Sequence, residues 1–174
     1  MRADVRHATH NDIPGIVEVL GEASAWLRTR GIVQWPDQFP AQVLLASLAE
    51  QELYVVLRGD RMAGTVTLQW SDPMFWGDRN DAGFLHRLAI LRQHAGAGRF
   101  VVSWAEDQVV AHGRRFLCLD TLSSNVRLRQ YYEDLGFSAV GEMTGPVGHP
   151  HTAAHGAWKA ALYEKLLTPR GAAR

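Results

Sequence analysis

A glycine-rich loop is the first stretch of the sequence whose residue types suggest chemistry. An apolar run over 88–91 passes into the loop 93–98, which reads QHAGAG, and an amphipathic helical pattern follows over 100–112. Glycines at 96 and 98 would let the backbone approach a ligand closely. The free N–H groups at the start of a helix, together with the helix dipole, favour an anion there. The spacing therefore predicts a phosphate-binding loop between a strand and a helix.

A second pair of polar residues follows the next predicted strand, 116–120. Asn125 and Tyr132 are seven residues apart, about two turns of a helix at 3.6 residues per turn, so they share one helix face. Ser123 or Ser124 can cap this helix, and Gly136 suits the left-handed position at its end. The sequence thus predicts a helix that presents an amide and a phenol in one direction.

These two motifs, in this order, resemble those of the GNAT superfamily of acyl-CoA-dependent N-acetyltransferases. The family's pyrophosphate loop has the form Gln/Arg-x-x-Gly-x-Gly/Ala, which Gln93, Gly96 and Gly98 match. Its second motif is matched by a set of residues on and after the second helix: Asn125, Leu128, Tyr132, Gly136 and Phe137. The resemblance implies transfer of an acetyl group from acetyl-CoA to a primary amine, on a small molecule or a peptide N-terminus.

The resemblance also implies which residues hold the coenzyme. The loop would contact the pyrophosphate, the central strand would offer backbone groups to the pantetheine, and Asn125 would hold the pantetheine arm. The implied cofactor-binding residues are Leu88, Ala89, Ile90, Gln93, His94, Ala95, Gly96, Ala97, Gly98, Arg99 and Asn125. An alternative register that starts at Ala95 and ends at Phe100 would shift these contacts by two residues. The motif letters favour the start at Gln93.

Tyr132 is the predicted catalytic acid, because a phenol near the sulfur can protonate the leaving thiolate. Tyr131 is interpreted as a packing residue. His86 is a candidate base, on the expectation that it shares a strand face with Leu88 and Ile90. A lone histidine in a strand is more often structural, and Asp81 and Asp120 are weaker candidates than His86.

Three tryptophans are the predicted acceptor site. Trp35 and Trp76 lie in predicted loops, Trp26 lies near a helix end, and the resemblance places such segments beside the acceptor pocket. An aromatic wall can hold an ammonium group by cation–π attraction. A further cluster, His149, His151 and His155, lacks a cysteine or a nearby acid, so no metal site is predicted.

Elements along the chain predict an α/β (α+β) fold with one GNAT-like domain over 1–168 and a frayed tail over 169–174. The central β-sheet should be mixed, with helices on both faces. Predicted strands are 5–8, 53–57, 62–70, a central strand ending near 91, 116–120, 137–143 and 158–167. Predicted helices run from Thr9 or Asn11 to Gly31, over 43–48, from the glycine loop to Gly113, and over 125–137, while 71–81 is predicted as a loop.

Composition narrows the function classes. Eighteen basic and eighteen acidic residues cancel, which gives no indication of a nucleic-acid or membrane surface. A single cysteine, no signal-peptide pattern and no apolar run of about 20 residues favour the cytoplasm. A homodimer remains one option for the oligomeric state. A non-catalytic acyl-CoA sensor and a nucleotide-binding regulator remain as alternatives, whereas a dinucleotide fold is discounted because Val101 replaces its third glycine.

Overall fold

A computed structural model describes residues 3–145 and 158–168 of the chain. Its seven strands are β1 Ala3–His7, β2 Leu53–Arg58, β3 Arg61–Gln69, β4 Ala82–Ile90, β5 Phe116–Leu122, β6 Ser138–Gly145 and β7 Trp158–Leu166. The helices are α1 Ile13–Arg28, α2 Ala41–Ala49, the four-residue α3 Pro73–Trp76, α4 Ala97–Ala111 and α5 Val126–Glu133. Single 3₁₀ turns at His10–Asp12 and Arg92–His94 precede α1 and α4.

The strands form one mixed sheet in the order β1-β2-β3-β4-β5-β7-β6. Every neighbouring pair is antiparallel except β4 and β5, which are parallel. Such a parallel connection needs a long crossover, and α4 supplies it. Two main apolar clusters cover the two sheet faces: one packs α4 and α5 residues on the sheet, and the other packs α1 and α2 residues. The predicted mixed sheet with helices on both faces is confirmed.

The two parallel strands separate halfway along their length. Their pairing begins at Ala82 with Phe116 and stops at Leu85 with Leu119. Beyond that point β5 stays paired with β7, while β4 stays paired with β3 up to Ile90. Among the described strands, the β4 edge that faces β5 therefore has no partner after Leu85, and a gap opens in the sheet there.

A β-bulge in β4 corrects the prediction that His86, Leu88 and Ile90 share one strand face. Thr65 and Thr67 of β3 oppose Ala89 and His86, so two β4 residues lie opposite one β3 residue, and Arg87 has φ 49°. One inserted residue reverses the alternation of side chains beyond it.

The consequence is visible in the contacts on each side of the sheet. Leu88 and Ile90 pack into the cluster beneath α4 and α5. Arg87 instead reaches α2, where its Nη2 donates a hydrogen bond to Ser47 Oγ at 2.7 Å. His86 extends to Asp120, on the face where α1 and α2 lie. The bulge thus brings the side chains of two consecutive residues to the same side.

The predicted order of strands and long helices is confirmed, with end points that differ by a few residues. The predicted loop 71–81 is wrong in one respect, because it contains α3, which Asp72 caps by accepting a hydrogen bond from the Phe75 N–H at 3.3 Å. The predicted tail 169–174 and the histidines at 149, 151 and 155 lie outside the described residues. Within the described ranges, no helix has both the length and the apolarity needed to cross a bilayer.

Candidate active site

A cavity of about 790 Å³ opens where β4 and β5 separate. Its walls come from α1 and the loop after it, from both separating strands, from the first turn of α3, from α5 and from Trp158. The sheet gap therefore connects the face covered by α4 and α5 with the face covered by α1 and α2. From His86 to Ile90 the strand spans about 13 Å at 3.3 Å per residue, long enough to give the cavity two chemically different ends.

The loop end of the cavity is formed by Arg92, Ala95 and Gly96. Gly96 is the N-cap of α4 and has φ 96°, a conformation that L side chains rarely adopt. Apart from its neighbours along the chain, no heavy atom of the described residues lies within 4 Å of the position that a Cβ would take there. The N–H groups of the first turn of α4 have no acceptor within the helix. This end presents backbone donors and open space, as the glycine motif predicts.

The other predicted loop residues take several positions around this end. Gln93 and Arg99 are exposed, His94 is half-buried and Ala97 is buried, and none of them lines the cavity. A Cβ on Gly98 would lie 2.8 Å from the hydroxyl of Tyr131. That glycine therefore makes room for a tyrosine of α5 against the first turn of α4.

Trp26 lines the cavity next to two cations. The guanidinium of Arg30 lies 4.7 Å from the Trp26 ring centroid, and that of Arg92 lies 5.6 Å from it. Because Arg92 belongs to the loop end, Trp26 is positioned there. The exposed side chains of Glu22 and Arg127 also line the cavity, and the two guanidinium groups against Trp26 make the loop end cationic.

Asn125 is buried at the N-cap of α5. Its side-chain oxygen accepts a hydrogen bond from the Leu128 N–H at 3.2 Å, and its Nδ2 donates to Gln34 Oε1 at 3.3 Å. The second bond joins α5 to the loop after α1, across the cavity. Asn125 thus has a helix-capping role and also lines the cavity.

Tyr132 lines the cavity two turns further along α5, on the face predicted from the spacing. It is 7% exposed, and its ring packs edge-on against Tyr131 and Phe137. Burial raises the pKa of the Tyr132 phenol above its usual 10, and the charges of Tyr131 and Asp120 add to that rise. The hydroxyl therefore keeps its proton at neutral pH and can act as a donor.

The carboxylate end of the cavity is formed by Asp72, His86 and Asp120. His86 Nε2 lies 3.1 Å from Asp72 Oδ2, and His86 Nδ1 lies 3.3 Å from Asp120 Oδ1. The contact between His86 Nε2 and Asp72 Oδ2 has the length of an ion pair but not the alignment of a hydrogen bond. By hydrogen-bond geometry, neither of these two atoms has a partner among the described residues. These three residues come from the end of β3, from β4 and from β5.

Burial lowers the pKa of His86, but its contacts with Asp120 and Asp72 outweigh burial and raise that pKa to about 9. The ring is therefore an imidazolium at neutral pH, which disfavours its predicted role as a base. The cluster carries a net charge of −1 when both carboxylates are ionised. Its three ligand atoms lie within 4.8 Å of one another. However, each ring nitrogen faces a different carboxylate, which is the arrangement of two ion pairs to one ring and not of ligands that converge on one ion.

Aromatic residues line the cavity, and only part of the set was predicted. Trp35 lines the cavity and packs edge-on against Phe39, with ring centroids 5.9 Å apart. Phe75 lines it between His86 and Trp158, at centroid distances of 6.4 and 5.9 Å.

Trp76, predicted for the acceptor pocket, is not brought to the cavity. Its ring packs with Phe84 and Phe116 on the sheet beside α3, and the Arg79 guanidinium lies 5.4 Å from it. Sequence reasoning missed Asp72 and Phe75. The Asp72-Pro73 pair, a common start of a helix, is the signal that could have found them.

Comparisons with known proteins agree with this architecture. Residues 20–137 match the model of the acetyltransferase (GNAT) family. YesJ of Bacillus subtilis, named as an N-acetyltransferase, is 28% identical over 146 residues, which cover 77% of this chain and 81% of YesJ. A GNAT-family acetyltransferase from Listeria monocytogenes has a TM-score of 0.75 at 24% identity, with 95% of each chain covered. YncA from Salmonella typhimurium, solved with its cofactor acetyl-CoA, has a TM-score of 0.69 at 16% identity, covering 100% of this chain and 99% of its own.

The chain belongs to the GNAT family of acetyltransferases. It is an acyl-CoA-dependent acetyltransferase, and its acyl donor is acetyl-CoA.

The residues at the loop end fit that coenzyme. Gly96 leaves room for phosphate oxygens beside backbone N–H groups, and the β4 edge after Leu85 has no partner among the described strands. The hydroxyl of Thr121, in the cavity wall, is buried without a hydrogen-bond partner among the described residues.

Proposed function

We propose that the protein transfers the acetyl group of acetyl-CoA to a primary amine by direct attack of the amine on the thioester. The observation that carries this proposal is the cavity at the separation of β4 and β5. It has a cationic loop end with Gly96 and a carboxylate end with Asp72 and Asp120, and Tyr132 lines the same cavity. A single space therefore has groups suited to an anionic coenzyme and to a cationic acceptor.

Bound acetyl-CoA supplies an activated thioester. The chain's own groups would hold and orient it: the loop 93–99, with Gly96 at the helix start, would contact phosphate, and the free edge of β4 at 88–90 would contact the pantetheine arm. Asn125, on the opposite wall, would contact the same arm through its amide. A backbone N–H of β4 directed at the thioester oxygen would stabilise negative charge there, a term worth roughly 3–4 kcal/mol in comparable sites.

Tyr132 Oη would hold the proton that the leaving sulfur needs. The position of Tyr132 in the cavity wall supports this role, because its phenol is protonated at neutral pH and can donate a hydrogen bond to a developing thiolate, although the raised pKa lowers its acidity. Tyr131 has a different position, with its hydroxyl against Gly98.

Direct attack is favoured over an acyl-enzyme on cysteine. Cys118 is the only cysteine of the chain, and it is fully buried in the sheet away from the cavity wall. A nucleophilic thiol would have to meet the thioester in the cavity. One cysteine is also compatible with a reducing compartment, so we place this single-domain enzyme in the cytoplasm.

A screen of amines with acetyl-CoA, read by release of the free thiol and by mass of the product, tests the proposed function. We expect thiol release that depends on the amine, together with one N-acetylated product per thiol. Thiol release at the same rate with and without amine would overturn the proposal, since it would indicate hydrolysis only. A useful control is the melting temperature with CoA alone, which should rise by mass action whether or not transfer occurs.

A further inference from the structure

We propose that the acceptor binds as an alkylammonium cation whose nitrogen contacts Asp72 at the carboxylate end of the cavity, with His86 as a positioning residue. The inference rests on the proposed function, which it deepens by naming the class of amine and the residue that receives it. An alkylamine is protonated at neutral pH, whereas an arylamine is neutral, so the two classes differ in the property that this end of the cavity recognises.

Two carboxylates flank the ring of His86. Carboxylate oxygens lie 3.1 and 3.3 Å from its two ring nitrogens, and its side chain is 15% exposed. A neutral imidazole has one N–H and would direct the lone pair of its second nitrogen at a carboxylate. Two flanking carboxylates are compatible only with a ring that is protonated at both nitrogens. His86 then holds Asp72 and Asp120 in place and has no lone pair with which to accept the acceptor's proton.

The two oxygens of Asp72 have different partners: Oδ2 lies 3.1 Å from His86 Nε2, in an ion pair without the alignment of a hydrogen bond. Asp72 is 7% exposed, and its Oδ1 is occupied by the N–H of Phe75. Its Oδ2 is buried, lacks a hydrogen-bond partner among the described residues, and belongs to a residue of the cavity wall. A buried carboxylate oxygen without a hydrogen bond is costly, and a donor from a ligand removes that cost. An ammonium group offers such donors.

The charge and the lining of this end also favour a cation. The imidazolium and the two carboxylates sum to −1, and the guanidinium of Arg87, which also lines the cavity, reaches α2 and donates to Ser47 Oγ. Phe75 and Trp158 add aromatic rings, and the Phe75 ring centroid lies 6.4 Å from that of His86. Aromatic faces attract a cation and exclude water, which strengthens its attraction to a carboxylate. A neutral arylamine gains neither the ion pair nor the cation–π contact.

The protons balance along this route. The ammonium first loses one proton, which frees the lone pair that forms the N–C bond, and the nitrogen loses a second proton as the C–S bond breaks. One proton ends on the sulfur through Tyr132. The other passes to Asp72 Oδ2 and from there to solvent in the open cavity, so that the products are an amide, a thiol and one proton. Asp120 stays paired with His86 throughout.

Matched amines provide the test. Cyclohexylamine and aniline each carry an amino group on a six-membered ring, and at pH 7.5 only the first is a cation. Both are titrated into the CoA-saturated protein by calorimetry, for the wild type, Asp72→Asn and Asp78→Asn. Asparagine retains the side-chain oxygen that caps α3. Asp78→Asn makes the same charge change at an exposed residue outside the cavity wall.

We expect the wild type to bind cyclohexylamine at least about tenfold more tightly than aniline, a usual effect of a desolvated charge pair. Asp72→Asn should reduce this preference to within about threefold and leave the CoA-induced rise in melting temperature unchanged, while Asp78→Asn keeps the preference. If Asp72→Asn does not fold, Asp72→Ser is titrated in its place, because serine also retains an oxygen that can cap α3.

Three results would overturn the inference: equal binding of the two amines, an unchanged preference in Asp72→Asn, or no binding of cyclohexylamine at millimolar concentration. Failure of the proposed function has a different signature. In that case cyclohexylamine binds as expected and no N-acetylcyclohexylamine forms.

Discussion

The two ends of the cavity are built in different ways. The loop end is made mainly of backbone, from one continuous segment around Gly96, and the guanidinium groups of Arg30 and Arg92 lie beside it, against Trp26. The carboxylate end is made of side chains from three segments, and its charge depends on the pairing of His86 with Asp72 and Asp120. A local motif is enough for an anion site, whereas the acceptor site needs the tertiary fold to assemble it.

The largest expected effect is at the boundary between the two ends, where Tyr132 would serve the leaving sulfur. Tyr132→Phe keeps the ring and its packing and removes the hydroxyl. We expect kcat to fall by about 10²–10⁴-fold, the usual contribution of a positioned acid, with little change in affinity for acetyl-CoA. Steady-state kinetics checks this. Tyr131→Phe is the matched control, and its kcat should stay near that of the wild type; equal losses in the two variants would remove Tyr132 from the scheme.

At the loop end, charge can be changed with almost no change in shape. Gly96→Asn and Gly96→Asp introduce residues that tolerate positive φ better than most, and no atom of the described residues obstructs a Cβ there. We expect the aspartate variant to bind CoA at least about tenfold more weakly than the asparagine variant, because its carboxylate would face phosphate, and this difference should shrink at high salt. Calorimetric titration with CoA measures it. Equal affinities would place the phosphates elsewhere.

Trp26 and Trp35 both line the cavity, and replacing each in turn tests whether its two ends bind different substrates. Trp26 lies beside Arg30 and Arg92, so Trp26→Ala should raise the KM for acetyl-CoA a few-fold. Trp35 lines the cavity with its ring edge-on to Phe39, so we expect Trp35→Ala to raise the KM for the amine by a similar factor, with CoA binding unchanged. Initial-rate kinetics with both substrates varied separates these effects. A loss of stability of about 3–5 kcal/mol in Trp35→Ala would instead assign that ring to the core beneath the loop.

The smallest expected effect is a pH dependence of stability that comes from the carboxylate end. The pKa of His86 is about 9 in the folded protein against 6.5 in an ordinary environment. Its contribution to the free energy of unfolding is therefore complete below pH 6.5 and is lost as pH rises through 9. Melting temperatures between pH 6 and 9.5 should fall more steeply for the wild type than for His86→Gln. Parallel curves would show that the ring is not held as an imidazolium.

Much of the fold follows from local sequence patterns. Short stretches of sequence encode the apolar periodicity of α1 and α4 and the hairpin between β2 and β3. They also encode the start of α4 at Gly96 and the turn after α5 at Gly136. These elements are confirmed. Asn125 and Tyr132 share a helix face for the same reason, since helix geometry alone decides it.

The remaining features depend on contacts between distant segments. The bulge at Arg87 places a non-glycine residue at positive φ, which sheet pairing imposes and the residue type does not indicate. The four-residue α3 directs Phe75 to the cavity and Trp76 to the sheet. Which of the two side chains faces the cavity depends on the rotation of this helix about its axis. The charge state of His86 depends on two carboxylates that lie 14 and 34 residues away in the sequence.

The central claim is that one cavity binds the coenzyme at its cationic end and the amine at its carboxylate end. The most direct measurement is a pair of KM values, for acetyl-CoA and for cyclohexylamine, in Gly96→Asp and Asp72→Asn. The account predicts that Gly96→Asp raises the KM for acetyl-CoA alone and that Asp72→Asn raises the KM for the amine alone, each by at least about tenfold. If Asp72→Asn raised both KM values equally, the division of the cavity into two ends would be contradicted.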